Sequence, residues 1–319
     1  MSRTLPIQLA HELAQRAPDE RWLIEGLWSE RAVGIVGGQP KCCKSWLALD
    51  VAVSVASGAP CLRRYPTSRA GPVLLYAAED ALHVVRERLE GICVAAGVSL
   101  ERLPLHVITA PVLRLDQGAD RDALAAAVVR IQPRLLVLDP FVRLHRVDEN
   151  QAGEVAPLLA FLRELERRHA TSVLLVHHAR KGGHARAGQA LRGSSELHAW
   201  GDSNLYLRRM GAELTLTVEH RAASAPPSLA LELRESEGGI SLVVADEGAP
   251  TSAAAESVSA RPAPRQRVLD ALGDAGQPLA IRELRERCRI RMATLCDLLR
   301  ELVSEGEVIQ SAVGYAPAR

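Results

Sequence analysis

The sequence lacks a strong charge of either sign, a long apolar run and an ordered set of cysteines. Its 319 residues include 39 lysines and arginines and 38 acids, for a formal net charge of +1, so overall charge favours neither nucleic acid nor an acidic partner. No stretch approaches the roughly twenty apolar residues that span a bilayer. The six cysteines follow no regular spacing, which argues against a disulfide scaffold.

The beginning of the chain and the cysteines both indicate a reducing compartment. Charged and titratable side chains come early, at Arg3, His11, Glu12 and Arg16, where a signal peptide would need an apolar core. Thiols without a disulfide framework are typical of the cytosol. We therefore expect a cytoplasmic protein with no membrane segment.

Apolar runs alternate with helical patterns between residue 32 and about residue 177. Because these runs are continuous, they predict strands covered on both faces, in a mostly parallel sheet of an α/β fold. Shorter runs joined by tight turns follow, and they predict antiparallel strands that extend the sheet edge. The predicted parallel strands are Ala32–Val36, Pro72–Ala77, Leu105–Thr109, Leu135–Leu138 and Ser172–Val176, and the antiparallel ones are Asn204–Arg209, Leu214–Glu219, Leu229–Arg234 and Gly239–Val244.

The last part of the chain has a different organisation. Residues 246–264 have the composition of a flexible linker. Helices predicted at Arg265–Leu272, Ile281–Cys288 and Met292–Ser304, followed by a hairpin within Gly306–Tyr315, are typical of a winged helix-turn-helix. The sequence thus predicts an α/β domain over residues 1–245, a linker over 246–264 and a small winged helix-turn-helix domain over 265–319.

A glycine-containing loop lies between the first predicted strand and a helix. It follows the pattern of a phosphate-binding loop, Gly-x-x-x-x-Gly-Lys-Ser, except that Cys43 replaces the second glycine. In such a loop, backbone amides surround a polyphosphate, Lys44 would reach the terminal phosphates and Ser45 would hold Mg²⁺. The alternative is a tight strand–helix turn with a chance Lys-Ser pair. The predicted nucleotide-binding residues are Gly38, Gln39, Pro40, Lys41, Cys42, Cys43, Lys44, Ser45 and Trp46.

Cys43 is the one departure from the loop pattern. Glycine at this position usually has a positive φ, which a residue with a Cβ adopts at a cost of about 1–2 kcal/mol. The thiol would also crowd the phosphate, so we expect nucleotide binding to persist and turnover to be at risk. Adjacent cysteines 42 and 43 lack the spacing of zinc ligands.

Two predicted strands end in acids, at the edge where a parallel sheet presents its ligand site. Asp139 is predicted to hold Mg²⁺, with a simple turn-forming role before Pro140 as the alternative. Glu79 is predicted to orient the attacking water, and Asp80 to cap the helix that starts at Ala81.

The fifth predicted strand ends in His177 and His178, which could sense the γ-phosphate or form a structural pair. Neighbours on a strand point to opposite faces, so zinc binding by both is not expected. Arg180 and Lys181 follow, and they could contact nucleic-acid phosphate or belong to a solvated loop.

Three segments together resemble the RepA-type subgroup of RecA-like ATPases, the plasmid-replication helicase family. They are residues 37–50, residues 138–150, and His177–Lys181 together with Leu191–Ser195. The resemblance covers roughly residues 15–235. It implies a RecA-like P-loop core that binds ATP with Mg²⁺, and a nucleotide site completed between the subunits of a homo-oligomer such as a hexameric ring. DNA is the partner that it implies.

The resemblance also implies roles for individual residues. The catalytic glutamate of the family corresponds to Glu79, its metal-binding aspartate to Asp139, and its histidine sensor to His177 or His178, of which we select His178. Its trans-acting cation lies on a late strand, where Arg221 is the candidate and an ordinary exposed arginine is the alternative. Together with Lys44, these residues form the predicted catalytic set.

The predicted third C-terminal helix has a mixed outward face, with Thr294 and Arg300 beside acids. From residue 261 onward the chain has ten arginines and eight acids, a small surplus for a DNA-binding module. Docking of a subunit or another protein is therefore the alternative to DNA contact. The predicted DNA-binding residues are Arg180, Lys181, Arg287, Arg289, Arg291, Thr294 and Arg300.

These observations predict an ATP-binding and ATP-hydrolysing, DNA-associated protein of the replicative helicase or motor type. The alternative is a nucleotide-gated regulator that binds DNA or a partner with little turnover. A small-molecule kinase is disfavoured because no segment resembles an acceptor-binding lid.

Overall fold

The computed structural model describes residues 7–13, 21–178, 195–236, 238–245, 264–273, 275, 278–288, 292–311 and 314–318. The chain divides into two compact units, Met1–Asp246 and Glu247–Arg319. Among the helices in the described ranges, none combines the length and the apolar content needed to span a bilayer.

In the part of the larger unit that the structure describes, nine strands form one sheet. Before it, β1 (Trp22–Ile24) and β2 (Trp28–Ser29) form a short antiparallel pair. In chain order, the strands of the large sheet are β3 (Val33–Gly38), β4 (Val73–Ala77), β5 (Leu105–Val107), β6 (Leu135–Asp139), β7 (Ser172–His178), β8 (Ser203–Met210), β9 (Glu213–His220), β10 (Leu229–Ser236) and β11 (Gly239–Val244).

The order of the strands across the sheet is β11-β10-β9-β8-β3-β7-β6-β4-β5. Strands β3 to β7 pair in parallel, and β8 to β11 form an antiparallel meander on one side of them. The predicted parallel core with an antiparallel extension is confirmed. One detail differs: β8 pairs in parallel with β3, because α5 (Ser195–Trp200) precedes β8 and the chain enters it in the direction of the core strands.

Helices cover both faces of the sheet and bury two hydrophobic cores. The strands alternate between these cores, so that Val137 belongs to one and Leu136 to the other. Burial on both faces is the reason why the strand sequences are continuously apolar. The first core includes side chains of α1 (Lys44–Ser57) and α2 (Leu82–Ala95), and the second includes those of α3 (Gly118–Ile131) and α4 (Ala152–His169).

The described residues of the smaller unit form three helices and a short hairpin around their own core. Val268, Leu284, Leu295 and Leu299 are buried there. The assignment of this unit to a winged helix-turn-helix stays a prediction. Its elements are α6 (Pro264–Gly273), α7 (Ile281–Cys288), α8 (Met292–Ser304) and the antiparallel pair β12 (Val308–Gln310) and β13 (Tyr315–Pro317).

Candidate nucleotide-binding site

The loop between β3 and α1 lies at the carboxyl edge of the parallel strands. A Cβ at Gly38 would lie 2.4 Å from the carbonyl oxygen of Leu207 and 2.6 Å from the Sγ of Cys42, so this close approach requires glycine. Among the described residues, no acceptor takes a hydrogen bond from the backbone amide of Lys41 or Cys43. Free amides at the start of a helix are the donors that surround a polyphosphate.

Cys43 adopts the left-handed conformation that is expected for the glycine of the pattern, with φ 66° and ψ 24°. It stands immediately before α1, as its N-cap residue, and its side chain makes no capping hydrogen bond. The Sγ instead lies 3.2 Å from Nη2 of Arg209, on β8. The thiol therefore occupies space beside the loop that glycine would leave open.

Lys44 is the first residue of α1, and only 5% of it is exposed. Its Nζ donates a hydrogen bond of 2.7 Å to the carbonyl oxygen of Gln39, within the loop. Burial lowers the pKa of Lys44, while the nearby Cys42, Asp139 and Glu79 act in the opposite direction. The ammonium group is thus held across the loop, where a phosphate would lie.

Asp139 ends β6 and is largely buried. Burial raises the pKa of its carboxyl group to about 6, and the hydrogen bond with Ser45 opposes that rise. The neighbouring Asp80 and Glu79 raise it further, and Lys44 lowers it. The structure therefore brings together the hydroxyl and the carboxylate predicted to hold Mg²⁺, and both are oxygen ligands of the kind that this ion prefers.

Glu79 lies just after β4, with its carboxylate at the rim of the same site. Its Oε1 accepts a hydrogen bond of 3.1 Å from Nε of Arg143, and its Oε2 lies 3.8 Å from Nε2 of His178. The carboxylate is partly exposed, so water can reach it. Arg143 is a partner that the sequence did not indicate.

The predicted helix-capping role of Asp80 is wrong. Helix α2 begins at Leu82, and its N-cap residue Ala81 has no side-chain cap. Asp80 instead forms an ion pair with Arg88, in the second turn of the helix. The guanidinium of Arg88 is a charged hydrogen-bond donor to this carboxylate. A backbone amide at the start of the helix would be only a neutral donor, and hydrogen bonds between charged groups are stronger.

The two consecutive histidines have different surroundings because they alternate along β7. His178 lines the cleft beside Glu79. His177 is 1% exposed, and its ring lies 6.1 Å from that of Phe141. Of the two candidate sensors, only His178 is in the cleft.

Together these side chains line a cleft of about 370 Å³, within the size range of small-molecule sites. Six lining residues are absent from the predicted site: Ala77, Asp80, Arg88, Val176, Arg209 and Leu233. Arg209 and Leu233 come from β8 and β10, and their approach to the loop depends on a strand order that local sequence does not reveal. The lining residues are Lys41, Cys42, Cys43, Lys44, Ser45, Trp46, Ala77, Glu79, Asp80, Arg88, Asp139, Val176, His178, Arg209 and Leu233.

Arg221, the predicted trans-acting cation, follows β9 and is outside the cleft lining of its own chain. It forms an ion pair with Asp202, with Nη1 and Oδ1 3.3 Å apart, and donates to the carbonyl oxygen of Ala199. Its side chain is 54% exposed.

The predicted DNA-binding residues are only partly covered by the structure. Arg287 on α7 and Arg300 on α8 are exposed. Thr294 lies in α8, but its side chain is not among those described. Arg180, Lys181, Arg289 and Arg291 lie outside the described residues.

Residues 2–184 match the AAA domain family, and this match covers more than half of the chain. The chain belongs to the AAA domain family. It is a P-loop ATPase, for which the family implies ATP as the nucleotide, typically with Mg²⁺.

Among the solved structures that are similar to the chain in fold are two with a TM-score of 0.51. The ATPase domain of G40P matches with a TM-score of 0.51 and 12% identity, over 66% of this chain and 84% of that chain. A DnaB-like replicative helicase matches with a TM-score of 0.51 and 12% identity, over 66% of this chain and 57% of that chain. This chain thus spans little more than half of that helicase. At these identities the likeness shows the fold, and the predicted RecA-like core is confirmed.

The residues of the cleft fit ATP with Mg²⁺. The loop provides amide donors and a buried ammonium group, which suit a triphosphate. The Ser45–Asp139 pair provides two oxygen ligands for the metal ion, which binds through few protein ligands when phosphate oxygens and water complete its coordination.

Proposed function

We propose that this protein hydrolyses ATP as a DNA-associated motor of the RepA-like replicative type. The observation that supports the proposal best is the convergence of Lys44, Ser45, Asp139, Glu79 and His178 on one cleft. A nucleotide-binding loop alone would not imply hydrolysis, because turnover also needs a metal carboxylate and a group that positions water.

Each residue of the cleft has a defined role in this proposal. Bound ATP and Mg²⁺ supply the transferable phosphoryl group and neutralise its charge. Lys44 holds the terminal phosphates, and Ser45 and Asp139 hold the metal ion. Glu79 orients the attacking water, with one carboxylate oxygen steadied by Arg143. His178, whose Nε2 lies 3.8 Å from Oε2 of Glu79, would respond to the presence of the γ-phosphate.

In this proposal, a second copy of the chain completes the site in a homo-oligomer, such as a hexameric ring. Arg221 would then stabilise transition-state charge in the cleft of its neighbour. Its exposure and its position outside its own cleft support this role. For that purpose, either the ion pair between Arg221 and Asp202 opens, or it persists and orients the guanidinium.

DNA contact is assigned to the smaller unit, which we propose to be a winged helix-turn-helix, and to basic residues near the end of β7. The exposed Arg287 and Arg300 support this assignment. Arg180, Lys181, Arg289, Arg291 and Thr294 complete the proposed contact set.

Turnover with and without single-stranded DNA tests this function. The purified protein should hydrolyse ATP faster with DNA, and both Lys44→Ala and Glu79→Gln should abolish turnover. The two variants should differ in binding, since Glu79→Gln leaves the phosphate-binding loop intact. Turnover that persists in Glu79→Gln would contradict the assigned mechanism.

A nucleotide-gated regulator is the second candidate, and Cys43 is the observation that favours it. A left-handed cysteine beside the phosphate site could permit binding while slowing turnover. As a regulator, the protein would form oligomers when ATP binds and would present its smaller unit to DNA or to a partner protein. Sedimentation with and without ATP, together with the turnover assay, distinguishes the motor from the regulator. Assembly that depends on ATP, without turnover that DNA stimulates, supports the regulator.

A further inference from the structure

Arg209 is a cation of the nucleotide cleft that has no acidic partner among the described residues. It is the penultimate residue of β8 and is partly buried. Its Nε is inaccessible to solvent and has no hydrogen-bond acceptor among the described residues. Its Nη2 donates a hydrogen bond of 3.2 Å to the Sγ of Cys43. A partly buried guanidinium without an anion is unfavourable.

Two other arginines of this region have acidic partners, whereas Lys41 is an exposed cation at the rim of the cleft. Arg88 is paired with Asp80, and Arg143 with Glu79. Lys44 donates to the carbonyl oxygen of Gln39. An anion that enters the cleft would therefore meet no competing carboxylate at the guanidinium of Arg209.

The position of Arg209 follows from the pairing of two strands. The last residue of β3, Gly38, lies opposite Leu207 on β8. Strand β8 continues past this point, and Arg209 shares the face of Leu207 because side chains alternate. Arg209 therefore stands over the phosphate-binding loop rather than over the strand.

We propose that Arg209 binds the phosphate groups of the nucleotide in its own chain, as a second cation beside Lys44. Its planar fork of donors suits phosphate oxygens. The thiol of Cys43, which replaces the loop glycine, supports the guanidinium at the edge of the loop. This inference rests on the proposed binding of a nucleoside triphosphate in the cleft.

The deciding experiment measures the affinity for ATP with Mg²⁺ by calorimetry, and the affinity for tripolyphosphate by its competition with ATP. Arg209→Ala should weaken both affinities by about tenfold or more, as expected for loss of a charge-assisted hydrogen bond. Arg209→Lys keeps the charge and should lose less. Arg208→Ala is the matched control, since Arg208 is exposed on the opposite face of the same strand, and it should stay within about twofold of the wild type.

Several results would overturn the inference. One is an Arg209→Ala variant that binds both ligands as well as Arg208→Ala does. Another is loss of ATP affinity without loss of tripolyphosphate affinity, which would place the guanidinium on the nucleoside. A wild-type protein that binds ATP but ignores tripolyphosphate would also overturn it. Wild-type protein that fails to bind ATP would instead overturn the proposed function, and this inference with it. Unchanged thermal unfolding of Arg209→Ala separates lost binding from lost folding.

Discussion

Cys43 combines backbone strain with a side chain beside the phosphate site. Its φ of 66° lies in the left-handed region, which costs a residue with a Cβ about 1–2 kcal/mol. Part of that cost is offset because a cysteine restricts the unfolded chain more than a glycine does. We therefore expect the Cβ to affect stability and the Sγ to affect ATP turnover.

We expect Cys43→Gly to raise the free energy of unfolding by roughly 1 kcal/mol and to increase ATP turnover. Cys43→Ala is the matched control, because it removes the thiol but keeps the Cβ and its strain. Urea unfolding and steady-state turnover of both variants check the prediction. Equal stability of the glycine and alanine variants would show that strain at this position is negligible.

Asp139 makes the stability of the nucleotide-free protein depend on pH. Its pKa is raised from 3.8 to about 6 in the folded state, so between these values the folded chain binds more protons than the unfolded chain. The contribution of Asp139 to the free energy of unfolding is fully present below a pH of about 3.8, and it is lost as the pH rises through about 6. Above that pH, the ionised carboxylate costs about 3 kcal/mol, at about 1.4 kcal/mol per pKa unit.

Asp139→Asn should therefore stabilise the nucleotide-free protein at pH 8 and have less effect at pH 5. Urea unfolding at the two pH values, without nucleotide and without Mg²⁺, measures the difference. The account would be contradicted by an equal change in unfolding free energy at both values.

At the scale of elements, α1 is fixed to the segment that follows it by a buried acid. Asp50 is fully buried within α1, and its Oδ1 accepts a hydrogen bond of 2.8 Å from the amide of Leu62. Its other oxygen forms an ion pair with Arg63. Because the phosphate-binding loop ends where α1 begins, this anchor holds the helix that positions Lys44.

Asp50→Ala should reduce the free energy of unfolding by about 3–5 kcal/mol, since it leaves Arg63 without its buried partner. The matched control is Glu90→Ala, which breaks the exposed pair between Arg86 and Glu90 on α2 and should change stability by less than about 1 kcal/mol. Thermal or urea unfolding of both variants gives the comparison. Similar losses in the two would contradict the role of burial.

The sequence predicts the elements well where one physical signal dominates. Continuous apolar runs identify β4 and β6 because both faces of these strands are buried, and the acids at their ends identify Glu79 and Asp139. The pairing of β8 with β3 depends on long-range contacts, and local patterns do not record it. Arg209 was missed for that reason, although the Arg208–Arg209 doublet at the end of β8 is a visible signal.

At Asp80, a clear local signal led to a wrong prediction. An acid just before a helix favours a capping prediction, but Arg88, in the second turn of that helix, forms an ion pair with the carboxylate instead. The separation of His177 and His178 was predictable in principle from strand alternation. Which of them faces the cleft was not, because it depends on the side of the sheet on which α1 packs.

At the scale of the whole molecule, every described residue that lines the cleft belongs to the larger unit, Met1–Asp246. A chain that ends at residue 246 should therefore bind ATP within about twofold of the full-length affinity. It should lose the DNA stimulation that we assign to the smaller unit. Calorimetry and turnover assays of the truncated chain check both outcomes, and a large loss of ATP affinity would contradict the independence of the site.

The central claim is that ATP binds in the cleft through Lys44 and is hydrolysed with Glu79. The most direct measurement is calorimetric titration with ATP and Mg²⁺ of the wild type, Lys44→Ala and Glu79→Gln. We predict binding by the wild type, equal or tighter binding by Glu79→Gln, and an affinity lowered by at least about tenfold in Lys44→Ala. Undiminished binding by Lys44→Ala, in a protein that unfolds like the wild type, would contradict the account.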